Sequence, residues 1–272
     1  MGVKEVDVTV DVGDAKNIET DLLVLKNSQG SVGVGKEVAE ELEIDWRSVT
    51  SKMPDIGESE FFQGGQVLRA RNVLYIGVKP IPHFGYQDIR RFARKSLELA
   101  SRNPTKTEHV TLTLHGPGYG LDEREAFEAE LAGLMEAIRE RKAPKELERI
   151  SIIEINPRRA ERLEKILDEF LEEQTIDQDE PTPEKARSVG YDSEGKPHVF
   201  VAMPFDEEFE DVYYLGIKDA VNSAGFLCER IDNESFTGSI EKKIRDRIAS
   251  ASLVIADMTD ANPNVYLEVG YA

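Results

Sequence analysis

The stretch that decides the fold is His109-Val110-Thr111-Leu112-Thr113-Leu114, which is soon followed by Gly116-Pro117-Gly118-Tyr119-Gly120. Apolar and polar side chains alternate in the first part, which predicts a β-strand. Apolar residues recur at helical spacing over residues 123–141, which predicts a long helix. A strand, a glycine-rich loop and a helix in this order are typical of a parallel βαβ unit.

The same alternation extends in both directions from this stretch. We predict further strands over residues 6–12, 22–25, 73–78 and 150–155, and further helices over residues 36–42, 88–101 and 157–173. Strands that alternate with helices indicate a parallel sheet with helices on both faces, so the predicted fold class is α/β with three layers.

Residues 198–272 carry a shorter series of the same kind. The pattern predicts strands over residues 198–203, 226–231 and 253–257, and helices over residues 209–224, from Ser239 onward and from Asn262-Pro263 onward. An open doubly wound sheet commonly has about five strands, and three are predicted here. We therefore expect a partial flavodoxin-like βαβαβα unit, and we favour a fragment over a sheet that a partner completes.

The clearest boundary in the chain is residues 174–197, which are rich in proline, glycine and acidic residues and have almost no apolar periodicity. This composition predicts an exposed linker. The chain therefore divides into a first domain at residues 1–173, an acidic linker at 174–197 and a second domain at 198–272 that is incomplete at its C-terminal end.

Composition narrows the class of function. The 272 residues include 53 acidic and 34 basic side chains, which give a net charge of −19. We expect no nucleic-acid partner, because phosphate neutralisation needs clustered lysine and arginine, and no membrane span, because no apolar run reaches about 18 residues. The single cysteine, Cys228, favours a reducing cytoplasm. The four histidines lack the spacing of metal ligands, so we predict no metal site.

Two strings in the second domain resemble prokaryotic TIR-like proteins and nucleoside 2-deoxyribosyltransferases. They are Val201-Ala202-Met203-Pro204-Phe205-Asp206 and Ala256-Asp257-Met258-Thr259, the latter followed by Asn262-Pro263-Asn264-Val265-Tyr266-Leu267-Glu268-Val269-Gly270-Tyr271-Ala272. In both families the glutamate of this last helix is the functional carboxylate, so the resemblance implies that role for Glu268. TIR-like enzymes act as assemblies, which implies a homo-oligomer on activation.

The residues themselves support that chemistry. Asp206 and Asp257 each follow a predicted strand, at the edge where open α/β sheets bind ligands, while Asn264 and Glu268 share one helix face. Cleavage of an N-glycosidic bond passes through a cationic ribose, which a carboxylate can stabilise or trap. Glu268 would do this, Asp257 and Asn264 would hold ribose hydroxyls, and Phe205 would stack on a base or nicotinamide. The alternative is that Glu268 is an ordinary exposed helix residue and Asp257 a turn residue at the end of a strand.

The first domain resembles a macro domain or the related N-terminal domain of leucine aminopeptidases. The resemblance is carried by Asp21-Leu22-Leu23-Val24-Leu25-Lys26-Asn27-Ser28, by Gly33-Val34-Gly35-Lys36 and by His115-Gly116-Pro117-Gly118-Tyr119-Gly120-Leu121. It implies an ADP-ribose-like ligand, with Asn27 and the glycines as contacts. Macro domains often have "N-A-A-N" where this chain has Leu25-Lys26-Asn27-Ser28, so the departure puts the usual contacts of that segment in doubt.

The positions of the glycines support a phosphate-binding role. Gly33 and Gly35, like Gly116, Gly118 and Gly120, stand shortly before predicted helices. Glycines let backbone N–H groups approach a phosphate, and a helix N-terminus favours an anion. The alternative is that these glycines only form tight turns.

The two resemblances together are similar to bacterial antiphage defence proteins. The leading hypothesis is a first domain that senses a small nucleotide and a second domain that consumes NAD as a substrate, without a bound cofactor. Deoxyribosyl transfer and a non-catalytic nucleotide-binding scaffold stay open as alternatives. ADP-ribose hydrolysis by the first domain is a further, weaker one.

Overall fold

The computed structural model describes residues 5–28, 33–44, 53–80, 83–103, 105–171, 176–177, 184–231 and 238–272. The strands are β1 (Glu5–Val12), β2 (Leu22–Ser28), β3 (Ser59–Gln63), β4 (Asn72–Val78), β5 (His109–Leu112), β6 (Arg149–Glu154), β7 (Ile176–Asp177), β8 (His198–Ala202), β9 (Leu227–Glu229) and β10 (Leu253–Ala256). The α-helices are α1 (Val34–Glu41), α2 (Tyr86–Ala100), α3 (Glu123–Arg139), α4 (Pro157–Leu171), α5 (Glu184–Ser188), α6 (Asp219–Ser223), α7 (Gly238–Ser250) and α8 (Pro263–Tyr271).

The first seven strands form one sheet in the order β3-β4-β2-β5-β6-β1-β7. Its five central strands run parallel, whereas β3 and β7 pair antiparallel at the two edges. The predicted α/β class with a mainly parallel sheet is therefore confirmed. The two edge strands were not predicted, because β3 is only partly buried and β7 has two residues, so neither has a strong pattern.

Alternate residues of the central strands face opposite sides of this sheet. In β2, Leu22 and Val24 belong to the core formed with α2, α3 and α4, while Leu23 and Leu25 pack with Val38 of α1. Helices therefore cover both faces, and this explains why the strand sequences are almost continuously apolar. The carboxyl ends of the parallel strands are left as the edge where loops can form a site.

The last three strands form a separate parallel sheet in the order β10-β8-β9. Read from the β9 edge, the strands are the second, first and third in chain order, which is also the order in which a flavodoxin-like sheet begins. Apolar side chains of the π-helix Val212–Lys218 and of α6 pack on one face, and those of α7 and α8 pack on the other. Among the described residues, no strand pairs with the outer side of β10, where Leu253 is 56% exposed.

The prediction of an exposed linker is wrong for the described residues near its end. Ala186, Val189 and Ser193 are buried against the first unit. The Arg90 guanidinium donates to the Val189 carbonyl, and Lys196 pairs with Glu125 at 2.7 Å. The helix α5 forms in this stretch, but its pattern could not be recognised in the sequence. Ala186 and Val189 are too few apolar residues, among prolines and charged residues, to show a helical period. The described residues do not include residues 172–175 and 178–183, most of which belong to the predicted linker. They also do not include the side chain of Ser239, the predicted start of a helix in the second domain.

Candidate functional site

Two glycine-containing segments meet at the carboxyl edge of the large sheet. Strand β2 leads into Gly33 and α1, while β5 leads into the loop Gly116–Gly120. Because β2 and β5 are parallel neighbours, with Leu22 beside Val110, the segments that follow them lie side by side. Ligands of open α/β sheets bind at this edge. The structure therefore places both glycine-containing segments at the same edge of the sheet.

The loop Gly116–Gly120 needs its glycines for backbone reasons. Gly116, Gly118 and Gly120 have φ values of 108°, 83° and 86°, a region that other residues rarely adopt. A Cβ on Gly116 would lie 2.6 Å from the Leu121 side chain. The glycines are therefore required to form this turn, and this requirement is compatible with a role in ligand binding.

The segment after β2 is arranged more tightly than the sequence indicated. Gly33, with φ of 82°, immediately precedes α1, whereas Gly35 lies inside its first turn. A Cβ on Gly35 would lie 3.0 Å from the Lys26 carbonyl, and the Tyr75 hydroxyl donates to the Gly35 carbonyl at 2.7 Å. The Asn27 amide donates to the Pro54 carbonyl at 3.0 Å. Gly35 and Asn27 therefore hold the local structure together.

Titratable groups that the sequence analysis missed lie close to this edge. Lys26 stands 5.0 Å above the Phe84 ring, and burial together with the Lys243 ammonium lowers its pKa to about 8. Glu130 is 1% exposed, and burial raises its pKa to about 8. Burial, with Lys26 and Arg159 nearby, also lowers the pKa of His115. This edge of the sheet is therefore shielded from solvent and carries positive charge, which favours the binding of an anion.

The sequence contains a signal for two of these groups, because each is a charged residue in an apolar setting. Lys26 directly follows the apolar run 22–25, and Glu130 lies three residues after Phe127 on the apolar face of α3. Among the described residues, neither Glu130 carboxyl oxygen has a hydrogen-bond partner. A buried carboxyl group without partners is rare and calls for a functional or structural explanation.

The second unit covers the glycine-rich loop. The Gly120 N–H donates to the Arg230 carbonyl at 3.1 Å, and Ile231 forms bridge contacts with Gly118 and Tyr119. A Cβ on Gly120 would lie 3.1 Å from the Ile231 side chain, which is 3% exposed. The loop predicted to bind phosphate is therefore also a contact between the two units.

A buried polar network continues this contact beneath the loop. The Tyr86 hydroxyl donates to Glu229 at 2.8 Å and accepts from the Asp122 N–H at 2.8 Å. Glu229 is fully buried and accepts from Arg247 at 2.7 Å. The Asp122 carboxylate accepts from the Cys228 N–H at 2.9 Å. Each buried polar atom of this network has a partner, so the two units are joined specifically.

An ionic contact also joins the units at the start of α3. Lys218 of the second unit lies 3.4 Å from the buried Glu123, which also accepts from Arg162 at 3.0 Å. Burial alone would raise the pKa of Glu123, but Lys218 and the two guanidinium groups of Arg162 and Arg159 lower it to about 2. This carboxylate therefore stays ionised and paired at neutral pH.

A cavity of about 410 Å³ opens beside the covered loop. Its walls come from both units and include Phe84, Tyr86, Gly120, Lys242, Lys243 and Arg247. The Lys243 Cε lies 3.5 Å from the position of a Gly120 Cβ. Burial and the Arg247 guanidinium lower the pKa of Lys243 to about 8. Positive side chains of the second unit thus stand next to the loop of the first.

The predicted substrate residues of the second unit are brought together in part. Phe205, Asp206 and Asn264 line a cavity of about 330 Å³ with Asn262, whose side chain caps α8 by accepting from the Asn264 N–H at 2.9 Å. Asp257 follows β10 and is held in a local turn by the Thr259 N–H at 2.9 Å, outside the lining of this cavity.

Glu268 lies one helical turn after Asn264, outside the cavity lining and 4% exposed. Among the described residues no hydrogen bond or ion pair to its carboxyl group is present. Burial raises its pKa to about 7. Perturbed carboxyl groups are frequent at functional sites, and this one is poised to change charge near neutrality.

Other chemistries find little support in the described part of the chain. Cys228 is fully buried, and burial and the nearby Asp122 carboxylate raise the pKa of its thiol to about 12, so a nucleophilic thiolate is not available there. No group of three His, Cys, Asp or Glu residues within the described ranges could hold a metal ion. In the same ranges, no helix combines the length and apolar character that crossing a membrane requires.

No protein-family model matches the sequence, and no curated protein sequence matches it. Solved macrodomain structures match about three fifths of the chain. The Trypanosoma brucei macrodomain in complex with ADP-ribose is 20% identical, with a TM-score of 0.48, and the match covers 59% of this chain and 68% of that one. The Oceanobacillus iheyensis macrodomain with MES bound is 16% identical, with a TM-score of 0.45, and the match covers 59% and 90%.

Proposed function

We propose that the first unit binds an ADP-ribose-like nucleotide at the carboxyl edge of its sheet, and that the second unit cleaves the N-glycosidic bond of NAD. The observation that carries the first half is that the Gly116–Gly120 loop and the start of α1 follow two neighbouring parallel strands at one edge of the sheet, with Lys26 in the first of these strands. Such an arrangement offers backbone N–H groups and a cation to a diphosphate.

The ligand chemistry follows from these groups. Phosphate oxygens would accept from the N–H groups of the loop and of the first turn of α1, where the helix dipole adds positive potential. Lys26 would supply a charge whose low pKa rises when an anion is bound, since the anion favours the ammonium form. Phe84 lies beside Lys26 and offers a ring for stacking.

For the second unit, Glu268 is the proposed catalytic carboxylate. The bond between ribose C1′ and the nicotinamide nitrogen would break with its electron pair leaving on nicotinamide, and water would then add to the ribosyl cation. Ionised Glu268 would stabilise that cation, while Asn264 and Asp257 would hold ribose hydroxyls and Phe205 would stack on nicotinamide. Asp206 would lie at the mouth of the same cavity.

One observation favours a second candidate, a nucleotide-binding scaffold without turnover. Glu268 does not line the cavity that Phe205, Asp206 and Asn264 share, so α8 must move before its carboxylate can touch a ligand there. Deoxyribosyl transfer through a covalent bond to Glu268 requires the same movement. Self-assembly on activation and a role in antiphage defence belong to the NAD-cleaving proposal.

The test is NAD cleavage by the full chain, with nicotinamide release followed by chromatography in the presence and absence of ADP-ribose and cyclic nucleotides. We expect Glu268→Gln to lower the rate by at least about hundredfold. The matched control Asp260→Asn changes an exposed carboxylate that precedes the same helix, and it should retain the rate. Nucleotide binding without any nicotinamide release would overturn the NAD-cleaving half. Base exchange on deoxynucleosides with intact NAD would select transferase chemistry.

A further inference from the structure

We infer that the nucleotide and the second unit compete for the glycine-rich loop, so that nucleotide binding displaces the chain at Arg230 and Ile231. This inference rests on the proposed nucleotide site of the first unit. It adds a regulatory consequence that the site alone does not imply, namely that an occupied first unit loosens its hold on the second.

A bound phosphate would need backbone N–H donors of the loop. A backbone amide has one N–H, and that of Gly120 already donates to the Arg230 carbonyl at 3.1 Å. A phosphate oxygen that accepts from the same N–H must replace this carbonyl. The replacement is favourable for the N–H, because a hydrogen bond to a charged acceptor is stronger than one to a neutral carbonyl.

Ile231 also occupies space at the loop. Its side chain is 3% exposed and lies 3.1 Å from the position of a Gly120 Cβ, while its backbone forms β-bridges with Gly118 and Tyr119. A phosphate at these residues would have to enter the space of the isoleucine or be buried against its methyl groups. Burying a charge against apolar surface is costly, so the docked isoleucine and a bound phosphate exclude each other.

An anion can reach the covered N–H through the cavity of about 410 Å³ beside Gly120. Three cations, Lys242, Lys243 and Arg247, line it together with two carboxylates, Glu194 and Asp246. Arg247 is paired with Glu229, so Lys242 and Lys243 are the cations that could attract an anion there. The remaining contacts between the units, from Asp122 to Cys228 and from Lys218 to Glu123, use none of the Gly116–Gly120 N–H groups. We therefore expect a local release of residues 230–231 rather than separation of the units.

The first test measures ADP-ribose affinity by calorimetry in the full chain and in Ile231→Ala. Weakening the cover raises the fraction of molecules whose loop is accessible, so we expect binding to become about fivefold tighter or more. The matched control is Ile248→Ala, which removes a buried isoleucine from the same apolar cluster of the second unit. Its affinity should equal that of the unchanged chain.

The second test needs no substitution and measures hydrogen exchange of the unchanged chain with and without ADP-ribose. Competition predicts faster exchange in residues 227–231 when ADP-ribose is bound. Slower or unchanged exchange there, an unaltered or weaker affinity of Ile231→Ala, or an equal gain in Ile248→Ala would each overturn the inference and leave the nucleotide site standing. If no chain bound ADP-ribose, the nucleotide site itself would be refuted, and the inference with it.

Discussion

The Asp122 carboxylate holds the backbone N–H of Cys228 at 2.9 Å, across the contact between the two units. The same carboxylate caps α3 by accepting from the Glu125 N–H at 2.9 Å, and it accepts from the Asn222 amide at 2.9 Å. One side chain thus fixes the end of the glycine-rich loop, the start of the longest helix and a strand of the second unit. A movement of the second unit at Cys228 would therefore also disturb Asp122 and the end of the glycine-rich loop.

We expect Asp122→Ala to lower the free energy of unfolding by about 2–4 kcal/mol. The substitution removes a helix cap, which contributes about 1 kcal/mol, and leaves a buried N–H without its acceptor, which costs about 1–3 kcal/mol. Urea unfolding followed by circular dichroism measures the change. The matched control is Asn156→Ala, which removes an exposed cap at the start of α4 and should cost only about 1 kcal/mol. Equal losses in the two variants would contradict the role of Asp122 between the units.

Glu130 should make stability depend on pH in an unusual direction. Its folded-state pKa of about 8 lies above the ordinary 4.5, so the folded chain holds this proton more tightly than the unfolded chain. The contribution of Glu130 to stability is complete below pH 4.5 and is lost as the pH rises through 8. Relative to the unchanged chain, Glu130→Gln should therefore gain up to about 4 kcal/mol between pH 5 and 8.

The measurement for Glu130 is a series of urea titrations at pH 5 to 9 on both chains. Glu164→Gln on α4 is the control, because its carboxyl group is exposed. A constant difference between Glu130→Gln and the unchanged chain across this range would show that the Glu130 carboxyl is not buried in its neutral form.

Lys26 should couple nucleotide binding to proton uptake. Burial and the Lys243 ammonium lower its pKa to about 8, and a bound phosphate would favour the ammonium form. ADP-ribose affinity should therefore fall as the pH rises above 8, by up to about tenfold per pH unit. Calorimetry at pH 7 and 9 measures this. Lys26→Met should bind more weakly at pH 7 and have a smaller pH dependence, since Lys243 still titrates near pH 8 beside the loop. The exposed Lys145→Met should keep the affinity and the pH dependence of the unchanged chain. An unchanged pH dependence in Lys26→Met would remove Lys26 from the site.

Local patterns were sufficient for the main elements of the fold. The apolar stretches 22–25 of β2 and 73–78 of β4 are buried, so these parts of the two strands could be predicted from the sequence. The Asn262-Pro263 pair correctly placed the start of α8. The edge strand β3 escaped prediction because it is only partly buried, and β7 because two residues cannot show a period.

The contact between the units could not be predicted from such patterns. Ile231 meets Gly118 and Gly120 across more than a hundred residues of sequence, and nothing in either segment specifies the other. The glycines of the loop stand out in the sequence, and their positive φ angles explain why glycine is present there. The sequence does not show whether such glycines form a turn, bind a ligand or contact another unit. Burial of Glu268 likewise depends on how α8 packs, which four-residue spacing does not reveal.

The pH profile of NAD cleavage tests the role of Glu268. Burial raises its pKa to about 7, and only the ionised carboxylate can stabilise a ribosyl cation, so kcat/KM should rise up to about tenfold per pH unit below 7 and level off above it. Initial rates of nicotinamide release from pH 5.5 to 8.5 give the profile. Asn264→Ala should raise KM while leaving the midpoint near 7, because Asn264 would bind ribose without titrating. A rate that falls as the pH rises would mean that the protonated acid is the active form, and Glu268 would then donate a proton to the leaving group instead of stabilising the cation.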